Sequence, residues 1–198
     1  MKILNLGCGI SRLQYDGTVF PEGTVHVDRN TAVNPDVLWD CDAGLPHSVE
    51  ENSIDEIHAY HLIEHVGTLG DTTVWFNFWR SCWKALKPLG IMWVVAPFYL
   101  HEDAWGDPTH VRPICKQTFL FLNRKAYDKK PGTPGSAMSQ LGIDFDLPVE
   151  DLKLQVIPGE SIPCSLLVKL SARKTADGGL VPLEGMGAPK AEPEAVAP

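Results

Sequence analysis

The sequence predicts an α/β fold with a twisted, mostly parallel sheet, helices on both faces and a closing pair of antiparallel strands. Two observations support this class. Short runs rich in Val, Ile and Leu alternate with turn residues in the first half of the chain, as in proteins built from βα units. After residue 142 the pattern changes to alternating polar and apolar residues, which is typical of antiparallel strands.

The predicted parallel strands are short apolar segments bounded by Gly, Pro, Asp or Asn, and they cover residues 2–6, 24–28, 36–39, 54–60 and 90–96. Between the last two, residues 72–87 carry large apolar side chains at helical spacing and end at a Lys-Pro pair. This stretch is predicted to be a helix packed on the sheet, with its tryptophans in the core rather than at a ligand.

The second half of the chain is predicted to close the sheet. Alternating or apolar segments at 143–149, 153–157 and 165–172 are the expected closing strands. They follow an insertion over residues 97–142, placed on the substrate side, with a helix predicted over 113–123. Residues 175–198 are rich in Ala, Gly, Pro and Glu and are predicted to be a disordered tail, which leaves a single domain over residues 1–174.

The composition limits the classes of function. A chain of 198 residues with 44% hydrophobic content suits one globular domain. Its net charge of −8 disfavours binding to a nucleic-acid backbone. Its apolar run at residues 91–96 is far shorter than the roughly 20 residues that span a membrane. The five cysteines contain no C-x-x-C pair, so neither a disulfide framework nor a zinc knuckle is expected and the predicted location is the cytoplasm.

A glycine-rich turn directly follows the first predicted strand. Gly7-Cys8-Gly9 lets the backbone approach a ligand closely, and Asp28, 19 residues after Gly9, can accept hydrogen bonds from ribose hydroxyls. This arrangement predicts a nucleotide-type cofactor site. Arg12 stands where a dinucleotide-binding fingerprint requires a small residue, and no Lys-Ser or Lys-Thr pair follows the glycines. NAD, FAD and an ATPase phosphate loop are therefore disfavoured.

Residues 2–96 resemble the class I S-adenosylmethionine-dependent methyltransferases. The likeness rests on the strand and glycine turn, Asp28, the segment 40–46 (DCDAGLP) and the segment 53–66, which contains Leu-Ile-Glu-His. The resemblance implies a Rossmann-like methyltransferase fold and S-adenosyl-L-methionine as cofactor, with Asp28 on the ribose and Asp42 and Ala43 at the adenine. The predicted cofactor-binding residues are Asn5, Gly7, Cys8, Gly9, Asp28, Asp42, Ala43 and Tyr60.

Candidate catalytic residues follow the fourth and fifth predicted strands, because ligands of open parallel sheets lie beyond the carboxyl ends of the strands. His61 or His101 is a candidate general base, and the alternative is that each hydrogen-bonds a loop. Asp107 and His110 are expected either to fix their loop or to contact a small-molecule acceptor. Arg112 is expected to bind a substrate carboxylate or phosphate, or to lie on the surface.

A competing pattern is His61-Leu62-Ile63-Glu64-His65, which matches the H-x-x-E-H zinc motif of one class of proteases. It is disfavoured because it falls directly after a buried strand and inside the methyltransferase-like order. Metal assistance by His101, Asp103 or His110 is weighed as well, but no spacing enforces it. No metal ligand is therefore predicted.

The predicted function is methyl transfer from S-adenosylmethionine to an oxygen or nitrogen of a small molecule, sugar or metabolite. The alternative is a catalytically degenerate methyltransferase-like binding protein, because Asn5 and Ser11 stand where the family has an acid and a glycine. Helices that cover the cofactor in many family members do not precede the first strand. The insertion 97–142, or a partner subunit in a homodimer, is expected to close the pocket instead.

Overall fold

A mixed sheet forms the body of the molecule, and the computed structural model describes residues 1–127, 141–148 and 151–181. The strands within these ranges are β1 (Ile3–Leu6), β2 (Val25–Asp28), β3 (Val37–Leu38), β4 (Ile54–Tyr60), β5 (Leu86–Pro97), β6 (Phe145–Asp146), β7 (Leu152–Gln155) and β8 (Ser165–Ala172). The α-helices are α1 (Thr73–Ala85), α2 (Asp103–Gly106), α3 (Lys116–Leu120) and α4 (Arg124–Tyr127). Single turns of 3-10 helix cover Thr31–Val33, Cys41–Ala43 and Ile63–His65.

The strand order is β3-β2-β1-β4-β5-β8-β6, and β7 pairs with the other end of β8. Strands β1 to β5 are mutually parallel, whereas β8 runs antiparallel to β5, β6 and β7. The predicted α/β architecture, with a mostly parallel sheet and closing antiparallel strands, is confirmed. The order reverses direction between β1 and β4, which in open α/β sheets is where ligands bind.

The strand β5 begins earlier than predicted, because α1 passes directly into it at Leu86. Its register on β4 shifts between the pairs Ile54–Leu86 and Glu56–Ile91, so several residues of β5 bulge out opposite a single residue of β4. Pro88 lies in this bulge, where its lack of a backbone N–H costs the ladder nothing.

The helix α1 covers one face of the sheet, as predicted. Its buried side chains are Trp75, Phe78, Trp79, Cys82, Trp83 and Ala85. The ring of Trp79 makes edge contacts with Phe78, Phe119 and Phe145, so the helix also joins α3 and β6 to the core. The core-packing interpretation of these tryptophans is confirmed.

The opposite face is covered by the segment between β1 and β2, which is a turn-rich loop with an isolated bridge between Leu13 and Val19. Phe20 is buried there with its ring edge on His58, and Tyr15 stacks on Trp93 at 4.9 Å. Because successive side chains of a strand point to opposite faces, residues of this face alternate with those that contact α1.

The later elements are shorter than predicted. The helix expected over 113–123 is α3, and the strands expected over 143–149 and 153–157 are β6 and β7. Of the predicted tail, the structure describes residues up to Val181, where Thr175 N–H donates to Gly179 O (2.9 Å) and Leu180 packs on the core. Residues 182–198 lie outside the described ranges, as do 128–140 of the insertion. Within the described ranges no helix is long and apolar enough to cross a membrane.

Candidate active site

A cavity of about 200 Å³ opens at the carboxyl ends of β1, β2 and β4. Three of the predicted cofactor residues line it, namely Gly7, Asp28 and Asp42. The remaining lining residues are Arg29, Trp39, Asp40, Cys41, His61, Leu62, His65, Val66 and Thr109. We refer to this space as the first cavity.

The glycine turn has the backbone geometry that its sequence predicts. Gly7 and Gly9 both have positive φ values, +61° and +52°. A Cβ on Gly7 would lie 2.9 Å from Leu62 Cδ1, so the absence of a side chain is required there for packing as well. The guanidinium of Arg12 donates hydrogen bonds to the carbonyl oxygens of Gly9, Val33 and Asn34. The hydrogen bonds of Arg12 therefore connect the glycine turn to the segment between β2 and β3.

Asp28 is half-buried at the end of β2 and organises the same turn. Its Oδ2 accepts the Gly9 N–H at 2.9 Å, and its Oδ1 accepts the Asn30 N–H at 2.8 Å. An ionised carboxylate offers about four lone-pair directions, so two remain for ligand hydroxyls. The arrangement places a negative charge at the mouth of the first cavity beside the glycine backbone.

The segment after β3 forms the far wall. Asp42 Oδ1 accepts the Gly67 N–H at 2.8 Å, which joins this wall to the turn after β4. The Trp39 indole lines the cavity and donates Nε1–H to Gly44 O at 3.1 Å. Sequence reasoning missed Trp39, although an aromatic residue at the end of a strand beside the acidic segment was a visible signal. Ala43 is exposed, and its N–H already donates to Asp40 O at 3.0 Å.

The other predicted cofactor residues do not line the first cavity. Asn5 is buried on the sheet face away from α1, with its amide 3.2 Å from His26 Nδ1. Tyr60 lies on that face too, and its hydroxyl bonds His58 Nδ1. Cys8 is buried, and burial raises the pKa of its thiol. The cofactor roles of all the predicted residues stay predictions, including those of Gly7, Asp28 and Asp42, which line the first cavity.

A second cavity of about 390 Å³ shares His61 and His65 with the first. Its other lining residues are Glu64, Pro97, Asp103, Gly106, Asp107, His110, Cys164 and Ser165. The two spaces therefore meet at the turn after β4, with the strand ends of β4 and β5 beneath them.

His61 stands at this junction. Its φ of +50° turns the chain sharply after β4, while its N–H donates to Val95 O at 2.7 Å. The side chain is 56% exposed, and its Nδ1 lies 3.5 Å from Glu64 Oε1. Since Nδ1 faces Glu64, Nε2 is the ring nitrogen left for a ligand. The geometry suits a general base that a carboxylate orients.

Glu64 is the functional candidate that sequence reasoning left aside. The residue is 1% exposed, and neither carboxylate oxygen makes a hydrogen bond with any described residue. Burying such a group without hydrogen bonds is costly, and this makes Glu64 a candidate functional residue. The Leu-Ile-Glu-His signature was the available signal.

Only some of the predicted residues in the loop after β5 line the second cavity. Asp107 and His110 line it. Asp107 Oδ1 also accepts hydrogen bonds from Thr109 N–H and Oγ1–H, which lower the pKa of its carboxyl. His101 lines neither cavity: its Nε2 lies 3.0 Å from Glu160 Oε2 and its Nδ1 accepts the Asp103 N–H. Its contacts are those expected of the loop-fixing alternative.

Arg112 is half-buried and packs against an aromatic ring. Its guanidinium lies over the Trp75 ring at 4.2 Å, and Nη2 donates to Val66 O and Asp71 O. Burial lowers its pKa. These contacts differ from those of an exposed surface arginine, and a role for Arg112 in binding a substrate anion stays a prediction.

The zinc-protease interpretation requires two histidines on one face of an α-helix. Here Ile63–His65 is a single 3-10 turn, and His61 precedes it with a left-handed backbone. The motif therefore does not adopt the geometry of such a protease.

Solved methyltransferase structures share the arrangement of strands and helices. A S-adenosylmethionine-dependent methyltransferase from Archaeoglobus fulgidus is 16% identical with a TM-score of 0.55, over 86% of this chain and 85% of the other. One from Clostridium acetobutylicum is 10% identical with a TM-score of 0.54, over 87% and 84%. The chain has the class I methyltransferase fold.

A third structure with this fold is the 1,6-didemethyltoxoflavin-N1-methyltransferase of Burkholderia thailandensis, solved with 1,6-didemethyltoxoflavin and S-adenosylhomocysteine bound. It is 12% identical with a TM-score of 0.51, and the match covers 87% of this chain and 71% of the other. No family model and no curated protein sequence matches the chain. Within the methyltransferase fold, the first cavity lies at the point where the strand order reverses.

Proposed function

We propose that the chain is a S-adenosylmethionine-dependent methyltransferase that acts on an oxygen or nitrogen of a small molecule. The observation that carries the proposal is the meeting of two cavities at His61. One has the features of a nucleoside site, and the other is lined by groups that can bind and deprotonate an acceptor.

The first cavity supplies the groups that the cofactor needs. Asp28 has free lone pairs for the ribose hydroxyls, and the glycine turn lets the ligand approach the backbone. Trp39 provides an aromatic wall for a purine ring, next to the Asp42 carboxylate. The methionine part of the cofactor would then run along Gly7 toward His61.

The second cavity would hold the acceptor. For an oxygen acceptor, the O–H proton passes to Nε2 of His61 while the oxygen bonds the methyl carbon. The electron pair of the broken carbon–sulfur bond stays on sulfur, which leaves S-adenosylhomocysteine. Glu64 supports this step by facing Nδ1 of the ring and stabilising the imidazolium that forms.

The lining of the second cavity narrows the acceptor class. Its volume of about 390 Å³ is that of a small-molecule site. The carboxylates of Glu64, Asp103 and Asp107 repel phosphate groups, which agrees with the net charge of −8. A neutral or cationic small molecule therefore suits the site better than a nucleic acid.

The test is calorimetric titration with S-adenosylhomocysteine of the parent chain, Asp28→Ala and a matched control, Asp36→Ala. Asp36 also accepts a backbone N–H of β2, that of His26 at 2.8 Å, but it does not line the first cavity. We expect micromolar binding to the parent and the control, and binding at least roughly tenfold weaker to Asp28→Ala. Equal binding to all three chains would contradict the site assignment.

The catalytically degenerate alternative draws support from Asn5, whose amide faces His26 instead of the first cavity. Binding of S-adenosylhomocysteine without turnover of any acceptor in a broad screen would favour it, whereas turnover of one acceptor would exclude it.

Closure of the pocket by a homodimer and a cytoplasmic location stay predictions. Sedimentation with and without S-adenosylhomocysteine tests the first of these.

A further inference from the structure

A cluster of three potential metal ligands lies on the wall of the second cavity. Glu64 and His65 come from the turn after β4, and His110 comes from the loop after α2. One ligand atom of each residue lies within 4.8 Å of those of the other two. The tertiary fold therefore gathers a carboxylate and two imidazoles at one point.

Glu64 provides independent evidence that this point takes a ligand. It is 1% exposed, it lines the second cavity, and neither of its oxygens accepts a hydrogen bond from a described residue. The Nδ1 of His61 approaches only Oε1, at 3.5 Å. A buried carboxylate without hydrogen bonds is unfavourable unless a cation or a donor compensates it.

The neighbouring oxygens of the two histidines indicate which ring nitrogen carries the proton. His65 Nδ1 faces Thr109 O at 3.3 Å and Thr109 Oγ1 at 3.0 Å. The hydroxyl of Thr109 gives its proton to Asp107 Oδ1 at 2.6 Å, so both Thr109 oxygens are acceptors and Nδ1 of His65 carries the proton. His110 Nδ1 faces Ala104 O at 3.2 Å and must carry a proton for the same reason.

With Nδ1 protonated, the lone pair of each neutral ring is on Nε2. Metal-binding histidines in proteins usually donate their other ring N–H to a carbonyl or carboxylate, which fixes the ring orientation. The rings of His65 and His110 meet edge to face with centroids 4.6 Å apart. Hydrogen bonds to Thr109 and to the carbonyl oxygen of Ala104 therefore orient both rings.

We propose that Glu64, His65 and His110 bind one divalent transition-metal cation. Two imidazoles and one carboxylate suit Zn²⁺, Co²⁺ or Mn²⁺ better than Mg²⁺, which prefers oxygen ligands. Asp107 Oδ2, 3.9 Å from His110 Nε2, adds negative charge nearby.

The cation has a chemical consequence that rests on the proposed function. Three protein ligands leave coordination positions open toward the second cavity, where a hydroxyl oxygen of the acceptor can bind. Coordination lowers the pKa of such a hydroxyl, so His61 could remove its proton near neutral pH. The acceptor class is then a molecule with a hydroxyl group, rather than an amine.

The test measures metal binding directly, without acceptor or cofactor. Chain freed of metal by chelation is titrated with Co²⁺, followed by its d–d absorption, and with Mn²⁺, followed by calorimetry. Mn²⁺ binds thiols weakly and so avoids the five cysteines. The variants are Glu64→Gln and His110→Gln, and the matched control is His47→Gln, an exposed histidine outside the cluster.

We expect one cation per chain in the parent and the control, and at least roughly tenfold weaker binding in both cluster variants. Circular dichroism melting of each variant checks that it is folded. Absence of binding to the parent, or equal affinity in the parent and His110→Gln, would overturn the metal site. A parallel titration with S-adenosylhomocysteine in chelator tests the cofactor site separately, so failure of one proposal is distinguishable from failure of the other.

Discussion

His61 combines three features at one residue. Its left-handed backbone ends β4, its side chain borders both cavities, and its Nδ1 faces the buried Glu64 carboxylate. A left-handed conformation is uncommon for a residue with a Cβ and persists where the surrounding fold holds it. Here the bond from His61 N–H to Val95 O contributes to holding it.

His61→Gln tests the proposed base. Glutamine keeps the bulk and a hydrogen-bonding group but cannot take a proton from the acceptor. We expect turnover of an acceptor to fall by about 10²- to 10⁴-fold, whereas the affinity for S-adenosylhomocysteine changes little. Initial rates and calorimetry on the same preparations measure both quantities. Unchanged turnover would assign proton removal to another group.

Glu64→Gln tests how much the buried carboxylate lowers the free energy of unfolding. In chelator, a buried carboxylate without hydrogen bonds costs free energy that an uncharged amide of the same size largely avoids. We expect the variant to have a free energy of unfolding higher by about 1–3 kcal/mol, at the expense of function. Urea unfolding of parent and variant measures this. A destabilised variant would mean that the carboxylate is already satisfied in the folded chain.

At the scale of elements, the glycine turn is held from three sides. Asp28 accepts the Gly9 N–H, the Arg12 guanidinium donates to Gly9 O, and Leu62 from the turn after β4 packs against Gly7. The described part of the segment between β1 and β2 contains no helix, so these contacts position the turn instead.

Gly7→Ala and Gly9→Ala form a matched pair. Both positions have positive φ, which costs an alanine about 1–2 kcal/mol. Only at Gly7 would the new Cβ also meet a side chain, Leu62 at 2.9 Å, because nothing lies within 4 Å of a Cβ on Gly9. We therefore expect Gly7→Ala to destabilise the fold more than Gly9→Ala in urea unfolding. Equal losses would show that Leu62 moves aside freely.

At the scale of the whole molecule, the two faces of the sheet differ in chemistry. The face under α1 is apolar, whereas the other carries a row of paired positions across five strands: His26, Asn5, His58, Trp93 and Lys169. The loop that brings Phe20 and Tyr15 covers this row. The imidazole of His58 is therefore buried in the folded chain, and that of His26 is partly buried.

Because these histidines are buried, we expect the folded chain to lose stability at low pH. Desolvation lowers the pKa of His58 in the fold, although the hydrogen bond to Glu56 and the charge of Asp16 act in the opposite sense. Between the folded pKa and the ordinary value near 6.5, the unfolded chain binds more protons. The free energy of unfolding must therefore fall as the pH drops through this range.

His58→Gln isolates that contribution. Urea unfolding at pH 7.5 and 5.5 should show a smaller loss of stability on acidification in this variant than in the parent. His47→Gln, at an exposed position, should keep the loss of the parent. If His58→Gln lost as much stability on acidification as the parent, the acid sensitivity would come from other groups. The first candidate would be His26, because burial lowers its pKa as well.

The sequence by itself determined the strands, the helix α1, the glycine turn and the position of Asp28. These features depend on residues close in the chain: side-chain periodicity sets the element, and glycines or prolines set its ends. The same local patterns predicted a site at the carboxyl ends of the strands, where the first cavity lies. The closing antiparallel strands were also visible, although their bounds were not.

The tertiary structure alone decided which side chains meet. Asn5 and Tyr60 face the covering loop because strand alternation turns them away from the first cavity, and His101 bonds Glu160 from a distant turn. Glu64 and His65 join His110 across a loop without periodicity. The ends of such loops are positioned by long-range register and packing, which no local pattern encodes.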